Sequence, residues 1–306
     1  MSINYPSSLL PTPTPTTSGS VLTSNGTSWV SAPAQGGGSA IIPTSENVTS
    51  YFILNGTGSN GSTDIPNTGI VSASYTLNGG VEISTAQSKW GAGSIYFDAT
   101  GSYIPVASNS NFAPGTGDFT YELFYYANSI TNSGVGNVAG VLFDARYPVG
   151  PNTYGFAVYI TDTGNIAVVK GGFVLSLATA TITTASWQHL ALVRKGTTVS
   201  VYLTGSLIDT SSANDNLSDG QMYIGTGFDQ LADDRGGKFD GYINSYRYSP
   251  VARYSGSSFT PPTAAFPAAY TDSNGIGQQL IGNDNKLYVC FNNNPQFWGI
   301  VSTTII

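Results

Sequence analysis

The chain has 306 residues, 40% of them apolar, but only 9% charged: ten Lys and Arg against seventeen Asp and Glu, for a net charge of −7. Globular domains usually carry about 25% charged residues. A helical bundle or coiled coil, built from Glu, Lys, Ala, Leu and Arg, is excluded, and an acidic chain with so few cations does not offer a basic face to nucleic acid. The apolar content, with 19 Tyr and 14 Phe, is ample for a packed core, and the Tyr, Thr, Val, Ser and Gly bias predicts an all-β protein.

Taken in chain order, residues 1–47 stand apart. Pro11-Thr12-Pro13-Thr14-Pro15 favours an extended polyproline conformation. Two β-prone runs in Val21–Val30 flank Asn25-Gly26, a hairpin signal, and Gly36-Gly37-Gly38-Ser39 has linker composition. A segment this short cannot bury a core alone and needs a partner surface. The N-terminus, MSINYPSSLLPTPTP, has neither a basic stretch nor an apolar one, so no cleavable secretory signal is expected. No apolar run reaches the roughly 18 residues of a membrane span.

From 48 to 268, short apolar runs alternate with Gly, Asn, Asp, Ser and Pro clusters. Strands are predicted at 51–54, 94–97, 119–126, 140–143, 155–160, 165–169, 187–194, 197–203, 221–225 and 238–248. Alternation is clear in Phe119-Thr120-Tyr121-Glu122-Leu123-Phe124-Tyr125 and in His189-Leu190-Ala191-Leu192-Val193-Arg194. Ten or more short strands without a 3.6-residue period predict a two-sheet antiparallel sandwich. Residues 269–306 read as a separate hairpin module, with runs at 279–281, 286–291 and 297–301. The lone cysteine, Cys290, excludes an intrachain disulfide and any Cys-based zinc site.

Several segments then carry a family pattern. Glu82–Asp98, Gly117–Glu122, Trp187–Arg194 with Val199–Gly205, Phe239–Ile243, and Val251–Tyr254 with Phe259-Thr260-Pro261-Pro262 resemble, in order, the concanavalin A-like, laminin-G-like domains common in bacteriophage structural proteins. The resemblance covers roughly residues 50–267. Gly19–Val30, Lys286–Cys290 and Trp298-Gly299 are similar, over shorter stretches, to modules of phage tail and fibre proteins. The resemblance implies a jelly-roll sandwich of two antiparallel sheets. It further implies a non-enzymatic virion protein assembled in the host cytoplasm: a tail fibre or surface appendage docked to other virion proteins through residues 1–47. Such a protein would self-associate, as a homotrimer by analogy, and contact host surface polysaccharide, with no nucleic acid and no membrane insertion. The alternatives are a capsid decoration or head-fibre protein and, from another class, a polysaccharide-degrading enzyme.

Site chemistry is sparse. Glutamate occurs only at Glu46, Glu82 and Glu122, and Glu122 has no second acid near it in sequence, so the paired carboxylates of a glycosidase are not expected. The single histidine, His189, shares a side with Ala191 and Val193 and reads as a packed structural residue. No cofactor is expected beyond calcium, which some laminin-G-like domains hold at a sandwich rim. Candidates are Asp215 with Asn214, Asn216 and Asp219, and Asp229 with Asp233 and Asp234, although an ion-free surface loop is the commoner meaning of such residues. Tyr125, Tyr126, Tyr147, Tyr154, Tyr246, Tyr248 and Tyr254 have the chemistry to stack on sugar, with Tyr147, Tyr154, Tyr246 and Tyr248 as the leading candidates.

Overall fold

A computed structural model describes residues 49–131, 137–146, 155–170, 182–213, 215–227 and 237–269 in full, and the backbone alone of 20–24, 29–33, 173–178, 279–281, 287–293 and 296–302. The chain divides into two compact units, Thr49–Ala269 and the two flanks Met1–Val48 and Tyr270–Ile306 taken together. Among the described residues no helix is long and apolar enough to cross a membrane.

The flanking unit contains a hairpin, β1 (Ser20–Ser24) with β2 (Trp29–Pro33). It also contains a three-stranded antiparallel sheet of β17 (Gln279–Ile281), β18 (Leu287–Asn293) and β19 (Gln296–Ser302). The three runs expected in the tail thus form one sheet, with Gln279–Ile281 paired to Leu287–Val289.

The large unit is the predicted all-β sandwich. One sheet has six strands in the order β11 (Phe173–Ala178), β10 (Ile166–Lys170), β9 (Phe156–Thr161), β8 (Val138–Asp144), β15 (Met222–Ile224) and β6 (Ile104–Val106). The other runs β14 (Ser206–Ser212), β13 (Thr198–Leu203), β12 (Trp187–Lys195), β7 (Phe119–Ala127), β16 (Asp240–Ser249), β5 (Ser94–Asp98) and β4 (Glu82–Ser84), with β3 (Phe52–Asn55) paired to the second half of β16. The pairings within each sheet are antiparallel.

Alternation fixes which side chains enter the core. On β7, Phe119, Tyr121, Leu123, Tyr125 and Ala127 pack between the sheets, while Thr120, Glu122, Phe124 and Tyr126 face outward. On β12, Leu190 and Leu192 point inward, leaving Trp187, His189, Ala191 and Val193 on the outer face. Strand β16 departs from this rule. Its register against β7 shifts between Ile243 and Ser245, a bulge that leaves Asn244 as the extra residue. The Asn244 side chain donates to the Gly93 carbonyl at 2.9 Å and to that of Trp90 at 3.2 Å, anchoring the 90–93 loop against the bulge. Before the bulge Tyr242 faces outward. After it Ser245 and Arg247 do, and Tyr246 and Tyr248 turn into the core.

Beyond β16 the chain does not leave the sandwich. Residues 250–269 cross the outer face of the eight-stranded sheet as a strap. Thr120 Oγ1 donates to the Val251 carbonyl at 2.7 Å and accepts from the Arg253 amide at 3.0 Å. The backbone pairs Leu207–Ser257 and Phe259–Gly205 hold its middle, and Asn55 Nδ2 donates to the Phe266 carbonyl near its end. The strap covers two small apolar clusters, one around Ile53, Phe124 and Phe266, the other around Ala191, Val193 and Tyr202.

Candidate functional site

The outer face of the eight-stranded sheet holds most of the described chemistry, and its centre is Glu122. The β7–β12 register sets His189 opposite Phe124, and the β7–β16 register sets Arg247 opposite Glu122. Glu122 is completely buried. Its Oε1 accepts from Arg247 Nε at 2.9 Å, with Arg247 Nη2 at 2.8 Å, and its Oε2 lies 3.2 Å from His189 Nε2. The strap closes the cluster: Tyr254 donates its hydroxyl to Oε2 at 2.6 Å, and Arg253 Nε lies 3.6 Å from Oε1. Burial alone would raise the Glu122 pKa, but the Arg247 charge, the His189 hydrogen bond and the Arg253 charge outweigh it and hold the carboxylate well below its usual range. The Tyr254 hydroxyl is pushed up, by burial first and then by the Glu122 charge, so it stays protonated and donates.

This is an acid–histidine pair that the sequence did not bring together, and it is sealed. Glu122 is 0% and His189 1% exposed, with Phe124, Tyr254 and Phe259 rings packed against the imidazole. A group reaches substrate only if it can be approached within hydrogen-bond distance. Here the carboxylate oxygens are already occupied by four protein groups, so the arrangement locks the strap to the sheet.

Beside the strap the same face opens into a groove of about 320 Å³ along β12, β13 and β14. Its floor is Val193, Ser200 and Tyr202, its rim Lys195, Thr198 and Thr210, and its wall Tyr254-Ser255-Gly256. The wall is rigid. Tyr254 stacks on Phe259 at 3.6 Å and 4°, and Tyr202 donates its hydroxyl to the Gly256 carbonyl at 3.0 Å. An aromatic ring, several hydroxyls and one ammonium group bordering an open groove can hold a polar ligand that has one apolar face.

The residues expected to form sites from sequence are placed differently. Tyr246 and Tyr248 are corrected: both are fully buried, because the β16 bulge turns them between the sheets, and neither can stack on a sugar. Asp215 pairs with Lys170 Nζ at 2.6 Å while its carbonyl accepts from Arg194, and Asp219 accepts from the Gln221 amide at 2.8 Å. Among the described residues no three acids, histidines or cysteines cluster in a way that could hold a metal ion. Asn214, Asp229, Asp233, Asp234, Tyr147 and Tyr154 lie outside the described residues. Sequence reasoning also missed Arg194, a fully buried cation that ties the rim together. Its guanidinium donates to the carbonyls of Gly115, Gly117 and Asp215 and lies over the Phe119 ring at 4.9 Å. A lone Arg ending an otherwise apolar strand run was its only signal.

Two stacked antiparallel sheets in this order, with a return segment strapped across one outer face, define a jelly-roll sandwich of the laminin-G-like class. The sequence profile of the concanavalin A-like lectin/glucanases superfamily matches residues 98–255, just over half of the chain, and the chain belongs to that family. Among solved structures, the binding domain of botulinum neurotoxin serotype D is similar at 14% identity and a TM-score of 0.51, covering 68% of this chain and 50% of that one. A Trypanosoma rangeli sialidase in complex with sialic acid is similar at 14% identity and a TM-score of 0.49, covering 73% and 33%. Domain 4 of AbnA, an extracellular arabinanase from Geobacillus stearothermophilus, in complex with arabinotriose, is similar at 15% identity and a TM-score of 0.44, covering 59% and 82%. The chain thus spans half of the neurotoxin domain and a third of the sialidase. At 14% identity the likeness to the neurotoxin domain is one of fold. No curated protein matches the chain in sequence.

Proposed function

We propose that this chain is a non-enzymatic, glycan-binding structural protein of a bacteriophage virion, a tail fibre or related surface appendage whose sandwich touches the host envelope. The observation that carries the binding reading is the groove beside Tyr254, with an aromatic wall, a floor of Val193, Ser200 and Tyr202, and the Thr198 and Thr210 hydroxyls and the Lys195 ammonium at its rim. Sugars present an apolar ring face and a rim of hydroxyls, which aromatic and hydroxyl side chains match. The non-catalytic reading is supported by Glu122, whose carboxylate is buried and used up in holding the strap. The virion setting is supported by the ordered resemblance of five segments to phage structural domains, and by Gly19–Val30 and Lys286–Cys290 in the flanks. In that setting the flanking unit docks to other virion proteins and to sister chains, in a homotrimer.

The test is adsorption. Purified full-length protein is expected to bind susceptible cells and their extracted surface polysaccharide and to compete with phage, without releasing reducing ends. Thr210→Trp, at an exposed position on the groove rim, is expected to cut polysaccharide binding at least tenfold with an unchanged melting temperature. Failure to adsorb removes the receptor role, and wild-type binding by a folded Thr210→Trp protein removes the groove.

A further inference from the structure

At the other end of the same outer face, the strand registers align four aromatic side chains. Tyr96 on β5 pairs with Tyr242 on β16, Tyr242 with Tyr126 on β7, and Tyr126 with Trp187 on β12. Neighbouring rings lie 5.1, 5.8 and 5.6 Å apart, in an unbroken row across four strands, about 14 Å at ordinary strand spacing. Tyr96, Tyr126 and Trp187 are half-buried, so their outer edges and faces meet solvent, and Tyr242 is 9% exposed between them. The strap borders this end without crossing the row, and Trp187 packs against the cluster of Ile53, Phe124 and Phe266. The strap's last ring against the sheet, Phe266, packs on Phe124 and over the Arg247 guanidinium, one row nearer the centre.

The row is bordered by acceptors. Glu82 on β4 is opposite Tyr96 and extends the row, and Asp98 is opposite Asp240 in the next row outward. Their effect is felt at the row itself: the Tyr96 hydroxyl is pushed up by burial and then by Asp240, Tyr242, Asp98 and Glu82. Two cations lie in this region: Lys89, over the Trp90 and Phe124 rings at 5.1 and 5.5 Å, and Lys238, whose Nζ donates to the Thr100 carbonyl at 2.7 Å.

We propose that Tyr96, Tyr242, Tyr126 and Trp187 form a second carbohydrate-binding strip, for an extended, uncharged glycan chain lying across the strands. The rings are tilted to one another by 37°, 79° and 56°, and Tyr242 is nearly covered, so a chain crossing the strands meets solvent-facing aromatic surface at Tyr96, Tyr126 and Trp187 in turn. The ring faces carry partial negative charge and favour the polarised C–H groups of a sugar face. Glu82 can accept hydroxyl hydrogen bonds, whereas Asp98 and Asp240 are engaged by Thr100, Gly101, Ser102, Asn128 and Ser129, and all three carboxylates repel an acidic polymer. That charge complementarity selects a neutral chain, while the length of the row selects a polymer over a monosaccharide. A protein partner would have to bring a basic surface to the same carboxylates, a different and testable outcome. The strip shares with the groove reading only the assumption that sugar is the ligand. It is a separate place on the sheet and fails separately.

Isothermal titration of the full-length protein with chitohexaose, cellohexaose and maltohexaose, their dimers, and hexagalacturonate tests this. At least one neutral hexamer is expected to bind ten or more times tighter than its dimer, and hexagalacturonate more weakly than that hexamer. Trp187→Ala is expected to weaken the hexamer at least tenfold, Trp187→Phe to restore most of it, and Thr210→Trp in the groove to leave it unchanged. Tyr96→Ala, at the opposite end of the row, gives the same loss by an independent route should Trp187→Ala fold poorly. The strip is overturned if no neutral hexamer binds, if hexagalacturonate binds as well, if both folded alanine variants bind as wild type, or if the face captures only basic proteins. Loss of binding in Thr210→Trp alone would support the groove and overturn the strip.

Discussion

Replacing Glu122 by Gln keeps the shape of the side chain and removes its charge. Arg247, 1% exposed, then keeps a buried guanidinium whose two bonds at 2.8–2.9 Å were to a carboxylate. Arg253 loses the anion at 3.6 Å, and the Tyr254 hydroxyl faces a group with one fewer acceptor. Breaking one partner of a buried ion pair costs about 3–5 kcal/mol, because the remaining charge stays desolvated. That is a large part of the 5–15 kcal/mol typical of a domain. At roughly 2–4 °C per kcal/mol for a unit of this size, the melting temperature is expected to fall by about 6–20 °C. The same group sets the acid sensitivity. Its folded pKa is depressed, so its contribution is complete above the unfolded value of about 4.3 and is lost as pH falls below it. The wild type should therefore destabilise below about pH 4.5 more steeply than Glu122→Gln. Thermal and urea unfolding of the wild type, Glu122→Gln and Glu122→Gln/Arg247→Met across pH 3–7 measure the two effects. The double variant, with both charges gone, should recover a good part of the loss. A single variant within about 1 kcal/mol of wild type would refute the account of the cluster as the strap's lock.

Two further outcomes follow from backbone geometry. The β13–β14 hairpin turns on Thr204-Gly205, both at positive φ (+48° and +83°), and a Cβ on Gly205 would sit 2.2 Å from the Phe259 carbonyl oxygen. Gly205→Ala should cost about 2 kcal/mol and loosen the strap, read as faster hydrogen exchange at the Phe259 amide, which donates to Gly205. Asp98 accepts from the amides of Thr100, Gly101 and Ser102 and from the Thr100 hydroxyl. Burial opposes these bonds, yet the Ser102 hydroxyl and then the Thr100 and Gly101 groups hold its carboxyl below the usual range. Asp98→Ala should cost about 1–2 kcal/mol, the scale of a lost local cap, and a carboxyl titration should find Asp98 ionised at a pH where ordinary aspartates are half protonated.

The sandwich was legible because alternation survives in a chain with little charge. The runs at 119–126 and 187–194 become β7 and β12 almost residue for residue. Strands that lack the pattern were not legible. Ile104–Val106 contains Pro105, tolerated only because β6 is a sheet edge, and Ser206–Ser212 is a polar edge strand stabilised by its hairpin turn and the strap. The sites were hardly legible at all, for a reason that lies in pairing rather than composition. Glu122 and His189 are 67 residues apart and meet only through strand register. Tyr246 and Tyr248 have the sequence parity of the outward-facing Tyr242, and one extra residue at Asn244 reverses them. Tyr96, Tyr126, Tyr242 and Trp187 are each ordinary strand residues, and only three registers taken together show the row.

The scarcity of charge also has a structural location. Of the ten Lys and Arg residues, Arg146, Arg194 and Arg247 are buried. Arg253 is half-buried and hydrogen-bonded to Ser249, Thr49 and Ser50. Arg146 forks onto Asp144, two residues before it, while Arg194 donates to backbone carbonyls and Arg247 forks onto Glu122, so the last two bind distant segments of the fold to one another. Few cations remain to draw in an anionic partner from a distance, and attraction between surfaces beyond about 10 Å is screened in any case. Recognition by such a surface has to work at contact range, through ring faces and hydroxyl hydrogen bonds. The groove and the aromatic row offer that chemistry, on the outer sheet face to either side of the strap's contacts with Glu122.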